Sequence, residues 1–212
     1  ATLPSPSGST HHVSASSGNA INNSASLQSA LCRLQPGDRL IVAQGEYPGP
    51  FIIDADCAQG TIDTPIEVYF QKDAVLTVDK DASVLKLSSS HWQINGMELE
   101  GGPYQSSPLV LDAAGNITLR NCHIHGGNGD GILIGPNSSD ISIQRCHLHQ
   151  FGAYADDNVN LSARGRSAAI RIAPGTINIS VSQAGIHNVL GIPIAVMTPQ
   201  DWIERGGDDL PA

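Results

Sequence analysis

The sequence predicts an all-β protein, built as a single-stranded parallel β-helix of about six or seven coils with a short capping helix at each end. Three observations carry this prediction. From Leu40 onward, helical periodicity is almost absent for about 150 residues. In its place come short β-type runs such as RLIVAQ, PFIID, IEVYF, NITLRNCHIH and DISIQRCHLH, punctuated by Gly, Asn, Asp and Ser. Finally, Cys-His-x-His occurs twice, at 122–125 and 146–149, one repeat apart.

The repeat is measurable. The short apolar runs SVLKL, SPLVL, DGILI, SAAIRI and LGIPI align Leu85, Leu109, Ile132, Ile170 and Ile192, at separations of 24, 23, 38 and 22 residues. The longer runs align Met97, Cys122, Cys146 and Ala184, at 25, 24 and 38. Both series slip at the same place, so one insertion of about 15 residues sits in the segment 150–168. A period of 22–25 residues with three short strands per turn is a solenoid signature. Leucine-rich repeats share the period, but their Leu/Asn pattern and helical half-turn are missing. Each coil is expected to give one strand to each of three parallel sheets, with coils about 4.8 Å apart.

The elements follow in order. Residues 1–23 read as an irregular lead-in with HHVSAS as a short strand. Leu27, Ala30, Leu31 and Leu34 recur at helical spacing and predict a capping helix over 24–34, ended by Pro-Gly-Asp. At the other end, Thr198 as N-cap, Pro199 at the first helical position, Asp201 two residues on and Gly206 as a stop predict a helix over 198–206. That helix is expected to lay Trp202 and Ile203 over the last coil. The whole chain, 1–212, is expected to be one domain capped at both ends.

Alternation along a strand also decides the Cys-His motifs. It sends Cys122 and Cys146 inward, into a stacked core row, and His123 and His125 outward. A zinc site needs both residue types converging on one point, so the cysteines read as core fillers. Cys32 and Cys57 flank a separate stretch, where a disulfide suits an exporting compartment and two buried free thiols are the alternative.

Composition narrows the partners. Eleven Lys+Arg against twenty Asp+Glu give a net charge of −9, a poor match to nucleic acid or an anionic membrane. No apolar run is long enough to cross a membrane as a helix. The sequence opens without Met and without a visible leader, consistent with processing of an exported chain or with trimming. Five of the eleven basic residues (Arg120, Arg145, Arg164, Arg166 and Arg171) nevertheless lie between 120 and 171, offsetting the acidity locally.

Candidate chemistry lies on the outward rows and in the insertion, since long loops on a rigid scaffold concentrate function. Glu100, His125, His149 and His187 are expected in one row just before the turns that enter the GILI sheet. Such a row supplies a general base near neutral pH, or forms a solvated polar ladder. Lys86, Val110, Leu133 and Arg171 form the outward row of the GILI sheet itself, two cations bracketing an apolar surface. The insertion adds Tyr154, Asp156, Asp157, Arg164 and Arg166.

Over nearly its whole length the sequence resembles the right-handed parallel β-helix proteins of the pectate-lyase-like superfamily. The run HHVSASSGNAINNSASLQSALCRLQPGDRLIVAQGEYPGPFII is similar to the opening shared by many secreted polysaccharide lyases and epimerases, with a strand, a polar turn, a capping helix, then Pro-Gly-Asp and Gly-x-Tyr. The run GNGDGILIGPNSSDISIQRCHLH resembles the repeat of the carbohydrate-binding and sugar-hydrolase subgroup. The catalytic motifs of these families are mostly absent. No epimerase-type Asp-Pro-His-Asp/Glu is found. The polygalacturonase set is not intact, and its Lys after Arg-Ile is Ala173 here. The Lys/Arg motifs of calcium-dependent alginate and chondroitin lyases are not recognisable.

The resemblance implies a secreted or periplasmic protein acting on a polysaccharide. The expected reaction is C5 proton abstraction on a uronate polymer, by a lyase or an epimerase. His149, Tyr154 and Arg171 would then be catalytic, with Lys86, His125, Arg164, Arg166 and His187 binding substrate. Ca²⁺ is the cofactor expected on Asp130, Asp156 and Asp157; ordinary turn chemistry is the alternative, Asp130 lying in Asn-Gly-Asp-Gly. The alternatives are a glycoside hydrolase using two of those three Asp residues, and a non-catalytic glycan-binding or structural module.

Overall fold

A computed structural model of the chain describes residues 5–15, 19–152 and 167–204. The described residues form three parallel sheets, with strands numbered in chain order. The first sheet holds β1 (Thr10–Val13), β2 (Arg39–Val42), β5 (Ile66–Phe70), β8 (Ser90–Asn95), β11 (Gly115–Arg120), β14 (Ser139–Gln144) and β17 (Ile177–Ser182). The second holds β3 (Gly45–Pro48), β6 (Ala74–Thr77), β9 (Glu98–Glu100), β12 (His123–His125), β15 (His147–Phe151) and β18 (Gly185–Val189). The third holds β4 (Phe51–Asp54), β7 (Leu85–Ser88), β10 (Leu109–Leu111), β13 (Ile132–Ile134), β16 (Ala168–Ile172) and β19 (Ile192–Val196). The chain visits the sheets in rotation, which makes a parallel β-helix of six coils, within the expected six or seven.

The corner between the first and second sheets shows how the sequence writes a coil. One residue in the left-handed region turns the chain there: Gly96, Asn121, Arg145 and Gln183, with φ of 74°, 51°, 52° and 53°. Glycine and asparagine take this conformation readily, whereas Arg145 and Gln183 adopt it at a cost of about 1 kcal/mol, sustained by the stacked coils. The next residue points inward, so Met97, Cys122 and Cys146 become one buried corner row. The Cys122 and Cys146 thiols donate to the carbonyls of Arg120 and Gln144, each at 3.3 Å. The neighbouring Cys146 sulfur and burial push the Cys122 thiol well up. The structural role expected of both cysteines is what the fold shows.

Alternation fills the interior. Trp92, Ile117 and Ile141 stack from the first sheet, Leu99, Ile124 and Leu148 from the second, and Leu85, Leu109, Ile132 and Ile170 from the third. One column is corrected. Ile170 pairs with Ile194, and Ile192 pairs with Ala168, two residues away from the expected alignment. Leu190, Ile192 and Ile194 alternate in the last run, and a slip of two residues keeps every side chain on its face, so apolar pattern alone does not fix this register.

Both capping helices form, with altered bounds. Helix α1 covers Ala20–Leu31 rather than 24–34, because Asn19 caps it by accepting from the Asn22 N–H at 3.3 Å. Its buried Leu27 and Leu31 face the first coil. A disulfide joins Cys32, at the end of α1, to Cys57, beyond β4. Helix α2 covers Pro199–Glu204. Thr198 Oγ1 accepts from the Asp201 N–H at 3.2 Å, while the Thr198 N–H donates to the Asp201 carboxylate at 3.2 Å, a reciprocal cap. Trp202 is partly buried, but Ile203 is 52% exposed and does not cover the last coil as expected.

Candidate functional site

The outward face of the second sheet carries an unusual set of side chains. Along each strand, alternate residues face out: Glu98 and Glu100 from β9, His123 and His125 from β12, His147 and His149 from β15, and His187 from β18. Parallel pairing in strict register stacks Glu100, His125, His149 and His187 in one row, as expected. It also stacks Glu98, His123 and His147 in a second row.

The two rows are knitted together. Glu98 Oε1 lies 3.4 Å from His123 Nδ1 and 3.3 Å from His125 Nε2, bridging both rings of one strand. His123 Nε2 lies 2.6 Å from His149 Nε2, on the next coil. The rings of His125 and His149 stack at 5.3 Å, and those of His149 and His187 at 4.8 Å. One of the two contacting Nε2 atoms must carry the proton and the other accept it, so two imidazolium ions cannot share this contact. Partial burial, followed by the positive charge available on His123, His125 and His187, holds His149 below its ordinary range. Burial and His125 lower His123 as well, against the raising effect of Glu98. Both shifts favour the neutral rings. Among the described residues, His149 Nδ1 is buried and has no hydrogen-bond partner.

Sequence reasoning missed Glu98 and His123. The signal was present, since Glu-x-Glu above two His-x-His strands places two residues per coil on one face, and only one row was followed.

The third sheet presents the other expected row, Lys86, Val110, Leu133 and Arg171, in register. Both of its cations carry a carboxylate partner. Lys86 Nζ lies 2.9 Å from Asp112, with both side chains half-exposed. Arg171 is buried and clamps Asp130: its Nε donates to Oδ2 at 2.5 Å and its Nη2 to Oδ1 at 2.8 Å. The Ala168 N–H also donates to Asp130 Oδ1, at 2.6 Å. The structure thus brings Asp130 and Arg171 together as an ion pair across the base of the insertion, rather than as a metal ligand and a separate catalytic group. Asp130 does not fit a Ca²⁺ ligand here, because its oxygens are engaged and a guanidinium lies against them. Tyr154, Asp156, Asp157, Arg164 and Arg166 lie outside the described residues.

No protein-family model and no curated protein matches the chain. Solved structures do. An alginate lyase from Paenibacillus sp. str. FPU-7 is similar at a TM-score of 0.60 and 21% identity, over 84% of this chain and 66% of that one. A lacto-N-biosidase from Eubacterium ramulus is similar at 0.50 and 15%, over 79% of this chain and 39% of that one. A mannuronic acid specific polysaccharide lyase from human gut microbiota is similar at 0.50 and 13%, over 89% and 51%. The chain thus spans just under two thirds of the alginate lyase and about half or less of the other two. These likenesses and the three-sheet coil define the fold as a parallel β-helix.

Proposed function

We propose that this chain is a secreted polysaccharide lyase, or a C5-epimerase, acting on a uronate-containing polymer. The observation that carries the reading is the Glu100, His125, His149 and His187 row. It sets imidazoles at strand spacing along a rigid edge and runs directly into the segment 150–168, which the repeat itself does not require. In support, two of the three solved structures described above are lyases, one for alginate and one specific for mannuronic acid, both uronate chemistry. The disulfide is consistent with an exported protein.

In this reading His149 takes the C5 proton on Nε2 once substrate displaces its contact with His123, and Tyr154 serves at the leaving oxygen in a lyase. Lys86 is the accessible cation for a uronate carboxylate, with Val110 and Leu133 offering an apolar surface to a sugar face. Asp130, clamped by Arg171, accepts from the Ala168 N–H and so holds the start of β16 in place. His125, His187, Arg164 and Arg166 complete the contacts to an anionic chain. Ca²⁺ belongs in the assay because Asp156 and Asp157 neighbour this edge in sequence and a divalent cation bridges a uronate to carboxylates.

A second reading, a glycan-binding module without catalysis, is favoured by the prior pairing of both Lys86 and Arg171 and by the enclosure of His149 Nδ1. Fold alone does not choose between them. Proton NMR of alginate, polygalacturonate, glycosaminoglycans and neutral glucans in D₂O, with and without Ca²⁺, separates the outcomes. Unsaturated C4–C5 signals identify a lyase, and deuterium at C5 in an uncut chain an epimerase. His149→Ala should lower either rate by at least about 100-fold. New reducing ends without unsaturation would establish a hydrolase, and an unchanged panel with retained binding the module. Either of these last two results overturns the proposal.

A further inference from the structure

We propose that Glu98, His123 and His125 form a binding site for a divalent transition-metal ion of the zinc class, on the outer face of the second sheet. Oxygen and nitrogen atoms of these three side chains lie within 4.8 Å of one another. Two edges of the triangle are measured: 3.4 Å from Glu98 Oε1 to His123 Nδ1 and 3.3 Å to His125 Nε2. Ligands bound tetrahedrally at about 2.0–2.1 Å stand about 3.3–3.4 Å apart, so both edges already have the length that zinc coordination requires.

The backbone explains the fit. His123 and His125 are two apart on β12 and share a face, while Glu98 pairs directly with His123 on the neighbouring coil. The three ligands therefore sit on two rigid strands rather than on loops. Their side chains are 31%, 40% and 16% exposed for Glu98, His123 and His125, which leaves a fourth position open to water or a ligand. The outer surroundings suit a metal as well. With Nδ1 turned toward the ion, His123 carries its proton on Nε2 and donates it to His149 Nε2 at 2.6 Å. A ligand histidine that donates its far N–H in this way is fixed in tautomer and ring angle. One carboxylate with two imidazoles selects a first-row transition metal over Ca²⁺, which takes oxygen ligands. The site stands on this geometry alone and does not depend on polysaccharide chemistry.

The test uses the full chain without a histidine tag, stripped with chelator and then titrated with Zn²⁺ by calorimetry and with Co²⁺ by visible absorption. One ion per chain is expected, with the intense d–d bands of four-coordinate Co²⁺. Glu98→Gln, which keeps size and shape, and His125→Ala should each weaken Zn²⁺ binding at least about 100-fold, and His149→Ala about 10-fold through loss of the outer contact. His12→Ala, on β1 and away from the site, should leave binding unchanged. Circular dichroism identifies any variant that fails to fold, and the isosteric Glu98→Gln keeps the test decisive. The proposal is overturned if Zn²⁺ does not bind at millimolar concentration, if folded Glu98→Gln and His125→Ala protein bind it unchanged, or if His12→Ala removes it. Because binding is read without any polymer, its failure is distinct from failure of the lyase assay.

Discussion

Arg171 clamps Asp130 from 41 residues away in sequence, with both side chains almost buried at 8% and 11% exposure. The pair joins Asp130, two residues before β13, to β16, on either side of the insertion in sequence. Removing one member of a nearly buried ion pair strands the other charge in a poorly solvated place. Asp130→Ala is therefore expected to lower stability by about 3 kcal/mol, read as a shift in the urea midpoint. Replacing both residues by apolar side chains of similar volume should recover most of the loss. A single variant as stable as the original chain would mean the pair contributes little.

Asp38 gives the fold an acid-sensitive point. Burial alone would raise its carboxyl, but N–H groups of Gln35 and Ser9 donate to it at 2.9 and 2.8 Å, and His11 lies 3.1 Å away. The net effect is a lowered value. A carboxyl with a depressed folded-state pKa contributes stability above its unfolded value, near 3.8, and loses it as pH falls through the folded one. The melting temperature should drop more steeply below about pH 4 in the original chain than in Asp38→Asn. Parallel curves for the two proteins would remove this assignment.

The Cys32–Cys57 disulfide closes a loop with a sequence separation of 25. Constraint of the unfolded chain by a loop of this size is worth about 3 kcal/mol. Reductant, or the double Cys→Ser variant, should shift the denaturation midpoint accordingly. The original chain without reductant is the reference, and coincident curves would show that α1 stays docked unaided.

Gln28 completes the edge of β4 as a further strand would. Its amide donates to the Ile52 carbonyl at 2.7 Å and accepts from the Ile52 N–H at 3.0 Å. Gln28→Met keeps the packing of α1 but frees an edge that can recruit another chain. A loss of about 1–2 kcal/mol is expected, together with faster growth of light scattering on warming. Unchanged scattering would show that the helix backbone alone protects the edge.

Much of this molecule is legible one residue at a time. The columns through Leu109 and Ile132, and through Cys122 and Cys146, follow from apolar alternation and from turn residues at fixed intervals. The outward rows through His125 and His149, and through Lys86 and Arg171, follow from the same count. The start of α1 is not legible, because its cap, Asn19, lies in a polar stretch where asparagine serves turns and caps alike. The register of the last coil is not legible either, because Leu190, Ile192 and Ile194 offer two registers with identical faces.

The sequence by itself therefore determined the coil, the stacking order and the face each residue occupies, because hydrophobic burial acts on period and the period is written in the chain. Only the tertiary structure decided which outward groups meet. Asp130 turns to Arg171, Glu98 bridges His123 and His125, and His123 reaches His149 on the next coil. Those contacts depend on ring and side-chain rotamers and on the lateral offset of one coil over the next, which residue spacing does not encode.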